Sequence, residues 1–178
     1  MKPFVPPSHR SSLQAGLLAM RNKSSQELQF VVIAHNIRSL HNIGSLFRTA
    51  DAAGVSKIYC TGYSGTPDDP KAKKVSLGAE HFVPWEKVSQ LGVLIRKLKS
   101  IGYRIAVLEQ DKKSILLDSF KPRFPLALIL GNEVRGSSRS IIKNADTVIE
   151  ISMRGKKESL NVSVAFGIAA FHIRRFLH

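Results

Sequence analysis

Acidic residues are scarce in this chain, and cysteine is almost missing. Against 27 Lys and Arg there are only 13 Asp and Glu, a formal net charge of +14 over 178 residues. An excess of that size points to a polyanionic partner, because neutralising phosphates releases counterions and speeds encounter. On charge alone RNA, DNA and an anionic membrane all stay open. The lone cysteine, Cys60, excludes an intrachain disulfide and fits a reducing compartment; its apolar surroundings make it an inert core thiol. Aromatic residues are 7% of the chain and do not interleave with the basic clusters, which favours backbone and shape contacts with nucleic acid over base stacking. The longest uncharged run near the end, Ser159 to Ile173, is too short to cross a bilayer, and the start, MKPFVPPSHRSS, lacks the apolar core of a signal peptide. A soluble, cytoplasmic protein with no membrane partner is expected.

Missing motifs narrow the chemistry further. The chain has no Gly-x-Gly pair, so a dinucleotide fingerprint is absent. In LILGNEVRGSS, Gly131 and Gly136 are spaced as in a phosphate-cradling loop, but Ser137 stands where the lysine belongs. Glu133 and Val134 fill the cradle, and a carboxylate there would repel a phosphate. The six histidines show no metal-ligand spacing, so no metal is expected. No Gly-x-Ser-x-Gly elbow marks a hydrolase nucleophile.

What is present reads as one domain, 26–178, behind a short basic N-terminal arm or helix, 1–25. From Leu28 onward apolar runs alternate with helical patterns. LQFVVIAH has the continuous apolar character of a strand buried on both faces. NIGSLFRTADAAG sets Ile43, Leu46, Phe47 and Ala50 on one helical stripe, with Gly54 as its stop. VSKIYCTG is a second strand, YSGTPDDPKAKK a turn-rich and then basic loop, and EKVSQLGVLIRKLKSIG a helix ending at Gly102. YRIAVLE, PLALIL and DTVIEIS supply three more strands, with a Lys-rich connection before the second and a short helix around Ser138 to Lys143 after it. The last helix, about Leu160 to Leu177, is apolar almost all round and must be covered by the domain or by a second subunit. This alternation predicts an α/β fold, a mostly parallel sheet flanked by helices, with ligands at the loops beyond the strand C-termini.

Three of those loops carry a resemblance. NIRSLHNIGSLFRTADAAGV, LALILGNEVRGSS and IEISMRGKKESLNVSVAFGIAAF resemble, in order and spacing, the three motifs of the SpoU-type (TrmH-like) RNA ribose 2′-O-methyltransferases of the SPOUT superfamily. KKVSLGAEHFVPW resembles a further family segment between the first two. The resemblance implies an S-adenosyl-L-methionine-dependent enzyme that methylates a ribose 2′-hydroxyl of tRNA or rRNA. It also implies a homodimer and a C-terminal deep trefoil knot whose loops bind the cofactor.

On that resemblance Leu130, Gly131, Asn132, Ile151, Met153 and Leu160 are the expected cofactor contacts. A glycine at 131 suits them, since it lets main-chain groups approach a ligand closely. Arg48, Asn42, Glu133, Ser159 and Asn161 are the expected catalytic set. Arg48 stays protonated at neutral pH, so it is read as clamping a phosphate and steering the hydroxyl, with an ordinary helix-surface ion pair as the alternative. Asn42 would anchor Arg48 or the ribose, or cap a helix; Glu133 would order its loop or orient Arg48. Ser159 and Asn161 lie beside the substrate or cap the last helix. RNA contacts are expected from Arg38, Lys71, Lys73, Lys74, Arg135, Arg154, Lys156 and Lys157. Two rivals share the fold: a catalytically silent RNA-binding or ribosome-assembly protein, and a methyltransferase acting on a base.

Overall fold

The structure, a computed structural model, describes residues 29–132 and 136–177; the N-terminal arm, Glu133 and Arg135 therefore lie outside the described residues. Among the described residues seven strands form one sheet: β1 (Phe30–His35), β2 (Lys57–Thr61), β3 (Trp85–Val88), β4 (Arg104–Leu108), β5 (Ile115–Leu116), β6 (Leu126–Leu130) and β7 (Thr147–Glu150). Their order is β3-β2-β1-β6-β4-β7-β5, and each neighbouring pair is parallel. The helices are α1 (Leu40–Ala53), α2 (Pro70–Ser76), α3 (Leu91–Ser100), α4 (Arg139–Asn144) and α5 (Val162–Arg174).

The central strands have to be apolar on both faces because helices cover both. Phe30, Val32 and Ala34 of β1 point into one cluster with Phe47 of α1, Ala72 of α2 and Phe166 of α5. Val31 and Ile33 point the other way, toward Leu94 and Leu98 of α3 and Ile141 of α4. Cys60 sits in the first cluster, where burial pushes its thiol up to about 11, consistent with an inert core residue.

The expected stripe Ile43, Leu46, Phe47 and Ala50 is buried on α1, and Gly54 ends that helix in the left-handed region at φ 74. The N-cap is Ser39, whose side chain accepts from the backbone N–H of Asn42; the capping role considered for Asn42 is thus not its own. Gly44 has a packing duty, since a Cβ there would strike the carbonyl of Ala72 and lie 2.7 Å from Val75 Cβ. It lets α1 and α2 approach closely.

Three elements differ from the expectation. The stretch expected as a basic loop contains α2, started by Asp69 as N-cap and Pro70 in the first turn. The helix expected from Glu86 begins only at Leu91, because Trp85–Val88 pairs with β2 as an edge strand and Glu86 reaches Lys57 at 2.8 Å. Trp85 also meets Phe47 edge-on with ring centroids 6.5 Å apart. The Lys-rich connection contributes the short strand β5. The last helix buries Phe166, Ala169, Ala170 and Ile173 but leaves Val164, Ile168 and Phe171 about half exposed. Among the described residues no helix is long and apolar enough to cross a membrane.

A candidate ligand cavity at the carboxyl ends of the central strands

A cavity of about 210 Å³ opens where the loops after β4, β6 and β7 meet the start of α5. All six expected cofactor contacts line it: Leu130, Gly131 and Asn132 from the β6 end, Ile151 and Met153 from the β7 loop, and Leu160 before α5. Ser159 lines it too. These residues come from two stretches separated in sequence, and the parallel sheet brings their loops to one edge.

The turn after β6 is built for close approach. A Cβ on Gly131 would lie 2.6 Å from Ser137 Oγ and 2.7 Å from Gly136 C, so no other residue fits. Asn132 and Gly136 exchange backbone hydrogen bonds of 3.2 and 2.9 Å that close the loop. Ser137 donates its backbone N–H to Glu109 Oε2 at 2.6 Å, while its buried hydroxyl has no partner among the described residues. Glu109 also accepts from Gln110 N–H at 3.1 Å, and Gln110 Nε2 donates to Glu158 O at 2.7 Å, tying the β4 loop to the β7 loop.

Glu109, Gln110 and Glu150 are not among the expected site residues, yet all three line the cavity. Their position at strand ends is a usable signal, since ligands on parallel sheets gather there. Among the described lining residues there are two carboxylates and no Lys or Arg. Such a wall favours a neutral or cationic ligand over a phosphorylated one. Leu108, Leu130, Ile151 and Val162 supply an apolar side for a flat ring.

The expected catalytic residues are only partly gathered. Asn161 Nδ2 donates to Asn42 Oδ1 at 3.1 Å, which joins the first and third motif segments. Asn161 also caps α5, accepting from Ser163 N–H at 2.8 Å, so its capping reading holds. Arg48 is exposed on α1, about 9 Å along the helix axis from Asn42, and does not line the cavity. Arg38, Lys71, Lys73, Lys74, Arg154, Lys156 and Lys157 are all exposed.

The loop after β1 is locked by Asn36, a non-glycine residue at φ 59. Its backbone N–H donates to Thr61 O at 3.1 Å, its Oδ1 accepts from Tyr63 N–H at 3.1 Å, and its carbonyl accepts from Asn132 Nδ2 at 2.9 Å. Its Nδ2 donates to His35 Nε2 at 2.9 Å, so His35 carries its proton on Nδ1, which donates to Thr61 Oγ1 at 2.9 Å. Burial holds the imidazole below its usual 6.5, in keeping with a neutral ring.

Fold and cavity together define a parallel α/β protein with an open cavity at the carboxyl edge of its sheet. Residues 29–171 match the SpoU rRNA Methylase family, and the chain belongs to that family. It is 34% identical over 151 residues to a Yersinia pestis 23S rRNA (guanosine-2′-O-)-methyltransferase, covering 85% of this chain and 61% of that protein. It is 33% identical over 153 residues to the Aquifex aeolicus tRNA (guanosine(18)-2′-O)-methyltransferase, covering 84% of this chain and 71% of that protein. An AdoMet-bound rRNA methyltransferase from Sinorhizobium meliloti superposes with a TM-score of 0.80 at 28% identity, over 86% of this chain and 58% of that one. The chain thus spans about three fifths of the length of the first and third of these proteins.

Proposed function

We propose that the chain is an S-adenosyl-L-methionine-dependent RNA methyltransferase that acts on a ribose 2′-hydroxyl of tRNA or rRNA. The character of the cavity carries this reading. An apolar wall, main-chain edges exposed by Gly131, and two carboxylates with no facing cation among the described lining residues suit an adenosyl group attached to a cationic sulfonium. The names of the relatives support the same reading.

When bound, S-adenosylmethionine supplies a methyl group activated by a positively charged sulfur. Leu130, Ile151, Met153 and Leu160 would enclose the adenine, while Gly131 and Asn132 would meet its edge through the main chain. The protein must also hold the ribose hydroxyl in line and let its proton depart. Arg48 clamps a neighbouring phosphate and steers the hydroxyl through its guanidinium donors. Asn42, hydrogen-bonded to Asn161, anchors the ribose side, Ser159 lies beside the substrate, and Glu133 orders its loop or orients Arg48. Arg38, Lys71, Lys73, Lys74, Arg135, Arg154, Lys156 and Lys157 contact the RNA backbone, as does the arm over 1–25.

The same proposal includes a homodimer in the cytoplasm and a C-terminal trefoil knot. The outward apolar stripe Val164, Ile168 and Phe171 on α5 supports the dimer. The element order supports the knot: β7 lies beyond β4 in the sheet, yet α5 after it packs on α1. The test is calorimetric titration with S-adenosylmethionine, followed by transfer of labelled methyl to total tRNA and rRNA and nuclease mapping. Uptake of the donor and a 2′-O-methyl nucleoside are expected. A folded protein that takes up no donor, or that labels a base, would sink the reading.

A further inference from the structure

We propose that Arg38 and Tyr63 form a stacking platform for a nucleobase of the RNA, on loops tied to the cavity-lining Asn132 through Asn36. This deepens the RNA-methyltransferase reading and rests on it. In the sequence no aromatic interleaves with the basic clusters; in space the Arg38 guanidinium lies over the Tyr63 ring, 4.9 Å from its centroid. Tyr63 is 50% exposed.

An aromatic this exposed contributes little to the core, yet its backbone is held from several sides. Tyr63 N–H donates to Asn36 Oδ1 at 3.1 Å, and Gly65 N–H donates to Ile37 O at 3.0 Å. Ser64 Oγ accepts from Ile37 N–H at 2.9 Å and donates to Ala34 O at 2.8 Å. Gly62, just before Tyr63, has φ 61, and a Cβ there would run into Asn36 Oδ1. Two left-handed residues, Asn36 and Gly62, therefore lock the loops carrying Arg38 and Tyr63 against each other. Backbone held in such a conformation persists only where its surroundings over-determine it.

The position selects the partner. Asn132 lines the cavity and holds the Asn36 carbonyl, two residues before Arg38. The loop carrying Tyr63 runs directly into α2, whose Lys71, Lys73 and Lys74 are exposed to meet phosphates. A flat cationic and aromatic pair beside a row of lysines matches a base with its backbone, since bases stack on aromatic rings and on guanidinium planes alike. The preference should be for any base over none, not for one base.

The test uses the full chain and two probes of about 12 nucleotides, the order of a single-strand site: an oligouridylate and an abasic ribose-phosphate chain of the same length. The wild type is expected to bind the uridylate about ten-fold more tightly than the abasic chain. Tyr63→Ala should reduce that preference to about two-fold or less with the abasic affinity unchanged, and Tyr63→Trp should restore it. Equal binding of the two probes by the wild type, or Tyr63→Ala weakening both alike, overturns the platform. Calorimetry with S-adenosylmethionine on the same samples separates this from the enzymatic reading. A kept base preference without donor uptake supports the platform and removes the methyltransferase.

Discussion

The loops after β6 and β7 enclose a cavity whose described lining includes Glu109 and Glu150 and no Lys or Arg, whereas the loops after β1 and β2 present Arg38 and Tyr63 to solvent and lead into Lys71, Lys73 and Lys74. Both regions sit on the same edge of one sheet, joined by the hydrogen bond from Asn132 to Asn36. A net charge of +14 is therefore not spread evenly. The sheet edge divides into an acidic recess suited to a small cationic ligand and a basic rim suited to a polyanion. On the proposed function, the carboxylates of the recess would repel RNA phosphates and the lysines of the rim would attract them. Both ligands can then sit side by side without competing.

The comparison breaks most sharply at Gly131. Gly131→Val should lower affinity for S-adenosylmethionine by about 100-fold or more, because the new side chain meets Ser137 and Gly136. Calorimetry beside a thermal melt reads it, and undiminished uptake would refute the cradle. Arg48→Ala should lower methyl transfer by about 100-fold while donor affinity stays within about two-fold; parallel loss of both would assign Arg48 a structural role.

Gly62→Ala tests the basic rim. Its Cβ would run into Asn36, so we expect a stability loss of about 1–3 kcal/mol in denaturant unfolding, with RNA affinity falling more than donor affinity. Donor affinity falling first would mean that the two regions are not separable. Asn161→Ala removes an α5 cap and the link to Asn42, costing about 1 kcal/mol. An unchanged urea midpoint would count against that link.

The smallest effect is on pH. His35 has its folded value below the usual 6.5, so the unfolded chain takes up a proton first. The stability from its neutral ring is complete above the unfolded value and is lost as pH falls below it toward the folded value. Urea midpoints near about pH 7.5 and 5.5 should therefore differ more in the wild type than in His35→Gln. An equal difference would place the acid sensitivity elsewhere.

The middle of the sheet is legible in the amino-acid sequence, because strands covered on both faces must be apolar, as β6 is and as β1 is up to Ala34. The edge is not. In β3, Glu86 and Lys87 are polar and resemble the first turn of a helix, and β5 has only two residues, too few for a period. The start of α2 is written in Asp69 and Pro70 but hidden among turn formers. The expected cofactor contacts come from resemblance, and the structure gathers all six around one cavity. Glu109 and Glu150 escape notice because a charge at a strand end reads as solvated surface until a loop closes beside it.

Chain order alone was enough for the excess of positive charge, the alternation of strand and helix, and the identity of the inner strands. Each follows from composition or from a side-chain repeat that the local backbone imposes. The pairing of Asn42 with Asn161 across 119 positions, the guanidinium of Arg38 over Tyr63, and the acidic recess beside a basic rim came only with the folded chain. Those are contacts between residues remote in sequence, and no local pattern encodes which loops a parallel sheet will carry to the same edge.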